Sequence, residues 1–550
     1  MNDLSRRFAQ PPAKVRREDL DRLFAADLSV LADLRVGVST SSFQTEGGID
    51  GSKQPATNWR RWQREGRVER IGPAIDLWRR YDEATARCRA MHLDVFRMSM
   101  EWARVAVAAH RVDARVVNGY AKRLAQLETA GIEPIVTLQH FTHPKWLTRD
   151  FWLTDRAPAV FAMYVREVVG RLGEALIAHG ATPPRRLLTI NEPNMLALAT
   201  YFAGIFPHGA GALAQGDLLG GPRAMRMLDH LLAAHVLAYR AIHAVYAERG
   251  WARPDVSLNL CVFDVYGFGR MPFDLLRANE RGVARDRLHA HLLTCRDAFY
   301  SALCADERSP RTEAALAIDR LFWQFVAPDA FAATLDAVYA EPGPTVDSIA
   351  IDIYDPWSFQ QARGAESVLA GLAAGEALLS LAERARTGIR LVDPWEWVIE
   401  PETFVRVVRS MHDAAVPLPI DVIENGMAQR REPGSAEVSR PDGISRPEFI
   451  RGSAFAMAYA RAVDRLPLRT YAYWTMVDNY ELGRYSPRFG LYGLGDEIDA
   501  HHAASWSRHD ANGDDAAASL ATFASIVRAS RREPGSERER LARYLGHHGA

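Results

Sequence analysis

The sequence predicts an α/β fold, a (β/α)8 TIM barrel with an elongated connection between its fifth and sixth strands, and three observations carry that prediction. Eight short runs rich in β-branched residues recur along the 550 residues. Each is followed by a stretch with helical apolar spacing, and nearly every run ends in polar or aromatic side chains. Strands alternating with helices at that count close into a parallel barrel, and side chains at the carboxyl ends of its strands converge on one mouth.

The strands are expected over 35–41, 93–99, 132–140, 186–193, 255–262, 348–354, 419–426 and 470–478. Helical spacing fills 74–91, 114–130, 157–179, 223–249, 402–415 and 447–466. The fifth-to-sixth interval is the longest and carries further helical stretches over 281–304 and 312–339, so an insertion at about 263–345 is expected within the same domain. Around the barrel, 35–513, lie an N-terminal extension, 1–34, and a C-terminal helix with a polar tail, 514–550. At ~150 residues per domain the length would suit three or four domains, but the strand count favours one long barrel.

Composition narrows the function. Hydrophobic residues at 48% and charged residues at 25% are those of a globular protein with a large core. The 67 basic residues balance 68 acidic ones, which gives no electrostatic footprint for nucleic acid or an anionic membrane. The only lysines are Lys14, Lys53, Lys122 and Lys145, so Schiff-base chemistry has few candidates. Cys88, Cys261, Cys295 and Cys304 form no Cys-x-x-Cys pair and read as reduced core thiols. The first twenty residues hold no apolar stretch of signal-peptide length and no later run reaches ~18 apolar residues, so a cytoplasmic protein is expected.

The strand ends carry the chemistry. The second run ends with Arg97, the third with His140, the fourth with Asn191-Glu192-Pro193, the sixth with Asp352 and Tyr354, the seventh with Glu424-Asn425-Gly426, and the eighth with Trp474, then Asp478-Asn479-Tyr480-Glu481. Strands four and seven are three apart around the ring, so Glu192 and Glu424 face each other across the mouth. Glycoside cleavage needs such a pair, one carboxyl protonating the leaving oxygen and the other attacking the anomeric carbon from the opposite side.

Asn191-Glu192-Pro193 and Ile423-Glu424-Asn425-Gly426 resemble the acid/base and nucleophile motifs of glycoside hydrolase family 1, the retaining β-glycosidases, and the chain is identified as a divergent member. The likeness runs from about Arg35 to Gly493 and takes in Ser41-Ser42-Phe43-Gln44, Phe96-Arg97-Met98-Ser99-Met100-Glu101-Trp102, Val136-Thr137-Leu138-Gln139-His140 and Arg488-Phe489-Gly490-Leu491. It implies that Glu192 is the general acid and then the general base, and that Glu424 is the nucleophile. It also implies that Arg97 keeps Glu424 ionised, that Tyr354 orients it by a hydrogen bond, and that Asn191 binds the sugar 2-hydroxyl. Glu192, without such a partner, would stay protonated until Glu424 forms the ester. Gln44, His140 and Glu481 would read the remaining glycone hydroxyls, and Trp474 and Phe489 would supply apolar faces for the ring.

The chain departs from the family pattern at three places. Phe141 and Leu482 stand where tryptophans are usual, each removing an indole donor, and the segment between Leu482 and Tyr485-Ser486-Pro487 is one residue short. Asp352 stands where asparagine is usual and brings a third acid to the nucleophile. The lysine and tyrosine that grip a sugar phosphate in the phospho-glycosidase branch correspond to Pro487 and Phe489, which speaks against a 6-phosphorylated substrate. His140 and His143 have a spacing open to metal, but no third ligand recurs nearby, and no metal is expected. His501, His502 and His509 read as a solvated loop. Trp395 and Trp397 suit either an aglycone platform or the outer wall, and Asp393 and Glu396 read as local structure.

The expected activity is cofactor-free hydrolysis of small β-glycosides, β-glucosides foremost, by double displacement. Two other readings stay open on the sequence: a transglycosidase on the same scaffold, and a non-catalytic sugar-binding barrel suggested by the missing indoles and Asp352. No nucleic-acid or membrane partner is expected.

Overall fold

The computed structural model describes residues 15–109, 111–209, 220–303, 316, 319, 328–355, 362–363, 390–391, 393–431, 438, 440–494, 506–508, 516–533 and 535–546. Eight strands, β1 (Arg35–Ser39), β2 (Val95–Ser99), β3 (Glu133–Thr137), β4 (Arg186–Asn191), β5 (Asp255–Cys261), β6 (Ile349–Ile353), β7 (Ile420–Asn425) and β8 (Leu468–Trp474), form a closed parallel barrel in ring order, β8 pairing back to β1. Their near-continuous apolar runs are what strands buried on both faces require. Every residue of β2, β4, β6 and β7 is buried.

The expected strands are all present, and most extend beyond the ladder into the polar residues that follow. The outer layer holds Leu77–Ala90, Ala114–Thr129, Ala157–Ala178, Gly220–Glu248, Ala332–Ala340, Pro401–Met411, Arg446–Ala462 and Ala516–Ser530. Local chemistry sets several starts. Asp113 caps the backbone N–H of Arg115, and Ser445 with Glu448 forms a reciprocal capping box before Arg446–Ala462. The fifth-to-sixth connection carries Met271–Leu276, Leu288–Leu303 and Ala332–Ala340, and much of the stretch expected as helix over 312–339 lies outside the described residues.

One continuous apolar cluster runs from Leu23 to Ala542 and includes Leu288, Phe299 and Leu335 of that insertion. The described parts of both ends dock on the barrel: the Arg531 guanidinium bridges Asp94 and the carbonyls of Ala32 and Leu34, and Arg538 reaches the carbonyls of Phe24 and Ala26. The tail beyond residue 546 and His501, His502 and His509 lie outside the described residues. Among the described residues no helix is long and apolar enough to cross a membrane.

Inside the ring, Val95, Ile135, Leu188, Ala350 and Ile423 form an apolar layer. At the amino ends of the strands a charged group closes the floor. The Arg186 guanidinium lies 2.8 Å from Asp421, and Arg469 binds both Asp421 and Asp255, the latter at 2.7 Å. At the other end, register irregularities fall between Leu188 and Asn191 of β4 and between Val422 and Glu424 of β7, just before the two strand-end glutamates. Such irregularities re-aim side chains at barrel rims. Gly426 completes that turn, because a Cβ there would lie 1.9 Å from the Trp474 carbonyl oxygen.

The floor network makes a stability prediction. The Asp421 carboxyl is buried, but Arg186 and Arg469 outweigh that burial and hold it down at about 2. A depressed carboxyl stabilises the fold above its unfolded value and loses that contribution as pH falls through the folded one. Asp421→Asn leaves the Arg186 guanidinium without a carboxylate and Arg469 with Asp255 alone; it is expected to cost about 3–5 kcal/mol at neutral pH, and to flatten the fall in stability between pH 4 and pH 2. Denaturant unfolding across that range measures both effects.

Candidate active site

At the carboxyl ends of the strands the sequence-expected residues come together in two joined groups. In the first, Arg97 of β2 reaches across the barrel to the Glu424 carboxylate and to the Asn191 side-chain oxygen, while its Nε donates to Thr137 Oγ1 at 2.8 Å. The Tyr354 hydroxyl donates to the other Glu424 oxygen at 2.8 Å. Asn191 Oδ1 also accepts from Asn259 Nδ2 at 2.7 Å, and the same amide donates to Asp352. Register explains these neighbours: Asn191 pairs with Asn259, Cys261 with Asp352, and Asp352 with Glu424 across adjacent strands.

Glu192 stands at the end of β4 with a left-handed backbone, φ 40°, uncommon for a residue with a Cβ and a mark of a constrained functional position. Glu192, Asp352 and Glu424 each offer an oxygen, and these oxygens all lie within 4.8 Å of one another. Sequence reasoning left Glu192 without a partner. The structure sets it beside Asp352, with an oxygen of each within 4.8 Å of the other. Burial first, and the Glu424 charge second, push the Glu192 carboxyl up to about 8. The same two causes push Asp352 well above the carboxylate range.

Three carboxyl groups this close would also suit a divalent ion. The guanidinium of Arg97 already lies on Glu424 and would be forced against the ion, so the arrangement fits proton sharing better than metal ligation. His140 and His143 stand apart from the trio. His143 Nε2 lies 2.8 Å from the Thr148 carbonyl oxygen, a structural bond.

The second group sits beside the first. Trp474 Nε1 donates to Glu481 Oε1 at 3.1 Å, and Gln44 Nε2 donates to Glu481 Oε2 at 3.2 Å and to Asn479 Oδ1 at 3.1 Å. His140 stacks on Trp474, centroids 6.0 Å apart and planes 17° apart. Burial pushes Glu481 up to about 8, against the Trp474 hydrogen bond, and pushes His140 well down, with Arg97 adding to the effect. Both side chains are therefore held in their neutral forms near pH 7. Phe489 and Trp474 share one small apolar cluster against which Tyr354 and Trp397 pack.

Among the described residues, several buried polar atoms here meet no protein partner: Asn191 Nδ2, His140 Nδ1, and one oxygen each of Glu192 and Asp352. Orphaned buried polar atoms are rare and call for a ligand or water. Converging donors and acceptors with neutral histidine and glutamic acid beside an indole suit an uncharged polyol.

Sequence reasoning missed Asn259, because an asparagine inside a run of Leu258 and Leu260 reads as mid-strand. Its signal was the polar side chain near the end of a strand that otherwise delivered none. Asp352 was marked as a departure, but its contact with Glu192 was not visible. Trp397 lies against Tyr354, centroids 5.4 Å apart, whereas Trp395 lies between Arg430 and Arg484. Asp393 accepts from Arg484 at 2.6 Å, and its backbone N–H donates to Glu396 at 3.1 Å, so this acidic pair is local structure.

The model of glycosyl hydrolase family 1 matches residues 29–502. The chain is similar to a cytosolic beta-glucosidase of Cavia porcellus, 24% identical, covering 84% of this chain and 92% of that one. It is similar to the same extent to a 6-phospho-beta-galactosidase of Lacticaseibacillus casei, 24% identical over 84% and 92%. Among solved structures it resembles a beta-glycosidase from Pyrococcus horikoshii with a TM-score of 0.60, at 20% identity over 93% of this chain and 96% of that one.

The raised Glu192 carboxyl carries a stability consequence. A carboxyl whose folded value lies above its unfolded one is favourable to the fold at low pH and becomes costly as pH rises toward the folded value. Glu192→Gln is therefore expected to raise the thermal midpoint by a few degrees at pH 8 and to leave it nearly unchanged at pH 4. Calorimetry of both proteins at the two pH values tests this.

Proposed function

The chain belongs to glycosyl hydrolase family 1 and is a glycosidase hydrolysing O-glycosyl compounds, and from that premise we propose that it cleaves terminal β-glycosides, β-glucosides foremost, with retention of configuration. The observation that carries this reading is the unequal treatment of two facing carboxyl groups. Glu424 receives a guanidinium and a phenol hydroxyl, whereas Glu192 is buried against other acids and held protonated. One environment suits a nucleophile and the other a proton donor.

Their oxygens lie within 4.8 Å, near the ~5 Å separation of retaining enzymes and short of the ~6.5 Å or more that leaves room for an inverting water. In the proposed first step Glu424 attacks the anomeric carbon while Glu192 gives its proton to the departing oxygen. Glu192, now a carboxylate, then takes a proton from the water that hydrolyses the ester. Asn191 Nδ2, free of protein partners, is placed to donate to the 2-hydroxyl, a bond that strengthens as charge develops at the ring. His140, Gln44 and Glu481 would read the far hydroxyls.

A neutral glycone is favoured over a phosphorylated one, although one relative is named a 6-phospho-beta-galactosidase. Glu481 sits between Trp474 and Gln44, and the described lysines, Lys53, Lys122 and Lys145, are all exposed, which supplies no ammonium to answer an ionised phosphate there. A small uncharged β-glycoside is thus the proposed substrate, and the proposed chemistry proceeds on the chain's own side chains. A cytoplasmic location agrees with the cytosolic relative.

Glu424→Ala is expected to lower kcat on aryl β-glycosides by 10⁴-fold or more, with azide restoring turnover as the inverted α-glycosyl azide. Glu192→Ala should lose most activity on poor leaving groups and much less on activated ones. Hydrolysis of aryl β-glycosides unchanged by either substitution overturns the assignment, and a first-formed α-anomeric product overturns retention.

A further inference from the structure

Asp352 has no assigned part in this site, yet it lies at its centre. Its side chain is fully buried at the end of β6. One oxygen accepts from Asn259, and the other has no protein donor. An oxygen of its carboxyl lies within 4.8 Å of oxygens of Glu192 and Glu424, and buried carboxyl groups that close cannot all be ionised beside one cation. The charged and titratable groups facing the pair are Glu424 on β7, Arg97 on β2, Cys261 on β5 and Tyr354 beyond β6. Of these only Arg97 is a cation, and its guanidinium is already engaged by Glu424 and Asn191.

We propose that Asp352 is a positioning residue for Glu192, holding a second proton of the site as a neutral acid and sharing one proton with Glu192 whenever Glu192 is ionised. The inference rests on the proposed acid/base role of Glu192. When Glu192 gives its proton to the glycosidic oxygen, the alcohol leaves and the Asp352 proton bridges the two carboxyl groups. When water attacks the ester, Glu192 takes a proton from that water and the pair is again doubly protonated. No proton is lost from the pair over the cycle.

Burial and the Glu424 charge, which raise both carboxyls, favour the same occupancy. Interacting acids release protons in two macroscopic steps that belong to the pair. In the singly protonated form the shared proton spends part of its time on Glu192, so that form keeps part of the activity. An asparagine at this position can donate to Glu192 but has no proton to share.

The test compares the wild type with Asp352→Asn and Glu192→Gln by infrared difference spectroscopy of the protonated-carboxyl band between pH 6 and pH 10. Glu101 and Glu481, held near 7 and 8, cancel between proteins. Each variant is expected to lack one protonated carboxyl at pH 6. For the wild type, kcat/KM on an aryl β-glycoside should fall on the alkaline side in two steps separated by a plateau, and for Asp352→Asn in a single step to zero. If Asp352→Asn removes no protonated carboxyl at pH 6, or both proteins fall in one step with the same midpoint, the proposal is overturned. The infrared result stands whether or not the protein hydrolyses the glycoside, and hydrolysis that survives a failed infrared test leaves the glycosidase reading intact.

Discussion

Three carboxyl groups share one buried volume with one guanidinium, and the rest of the site follows from that imbalance. Two like charges within 4.8 Å repel by about 3 kcal/mol or more at an effective dielectric of about 20, before the cost of desolvating each. Arg97 can answer only one of them. It lies on Glu424, so negative charge settles there, and protons settle on Glu192 and Asp352. The proposed division of labour between an attacking carboxylate and a proton-donating acid thus needs no difference in residue type. It needs one cation placed on one side of the ring, and β2 supplies it because Arg97 points into the barrel from a fully buried strand.

The barrel holds charge at both ends and insulates the two sets from each other. On the floor, Arg186 and Arg469 balance Asp421 and Asp255, and Asp421 is held strongly acidic. At the mouth, acids outnumber cations and the carboxyls of Glu192, Asp352 and Glu481 are held protonated. The layer of Val95, Ile135, Leu188, Ala350 and Ile423 lies inside the ring with them. A buried, well-paired network is costly to break, while an under-compensated one is costly to keep. The floor therefore contributes to stability and the mouth spends it, a familiar trade at sites built for reaction.

Much of this was legible in the sequence because strand–helix alternation and strand-end polarity are local signals. All eight strands lie where the β-branched runs are, and Arg97, Asn191, Glu192, Asp352 and Glu424 gather at their carboxyl ends, whereas Asn425 turns to Ser453 and Tyr471 in the wall. What stayed hidden depends on which residues face each other across strands. Asn259 looks like a mid-strand residue until the pairing of β4 with β5 sets it beside Asn191. Asp352 is visibly an unusual acid, but its place between Cys261 and Glu424 is a property of the register. Likewise Trp395 and Trp397, two residues apart, have different surroundings, one between two arginines and the other against Tyr354.

The positions that lack the family's indoles share a backbone feature. Phe141 and Leu482 both have left-handed conformations, φ 64° and 41°, and each directly follows a residue of the site, His140 and Glu481. Residues with a Cβ are uncommon there, so the chain accepts strain to aim the preceding side chain inward, and the side chain that follows is carried off the same turn. Phe141 packs edge-on to Phe206, centroids 5.2 Å apart, and Leu482 is partly buried against the core, so both now serve packing. Without indoles at those two positions, the proposed reading of the far hydroxyls falls to His140, Gln44 and Glu481. Of these His140 still has an orphaned nitrogen, and the Glu481 carboxyl, held neutral by burial, can donate as well as accept. A glutamic acid that can do either discriminates less sharply between hydroxyl orientations than a fixed indole donor, so the physical expectation is a site demanding at the anomeric centre and permissive at the far end of the ring.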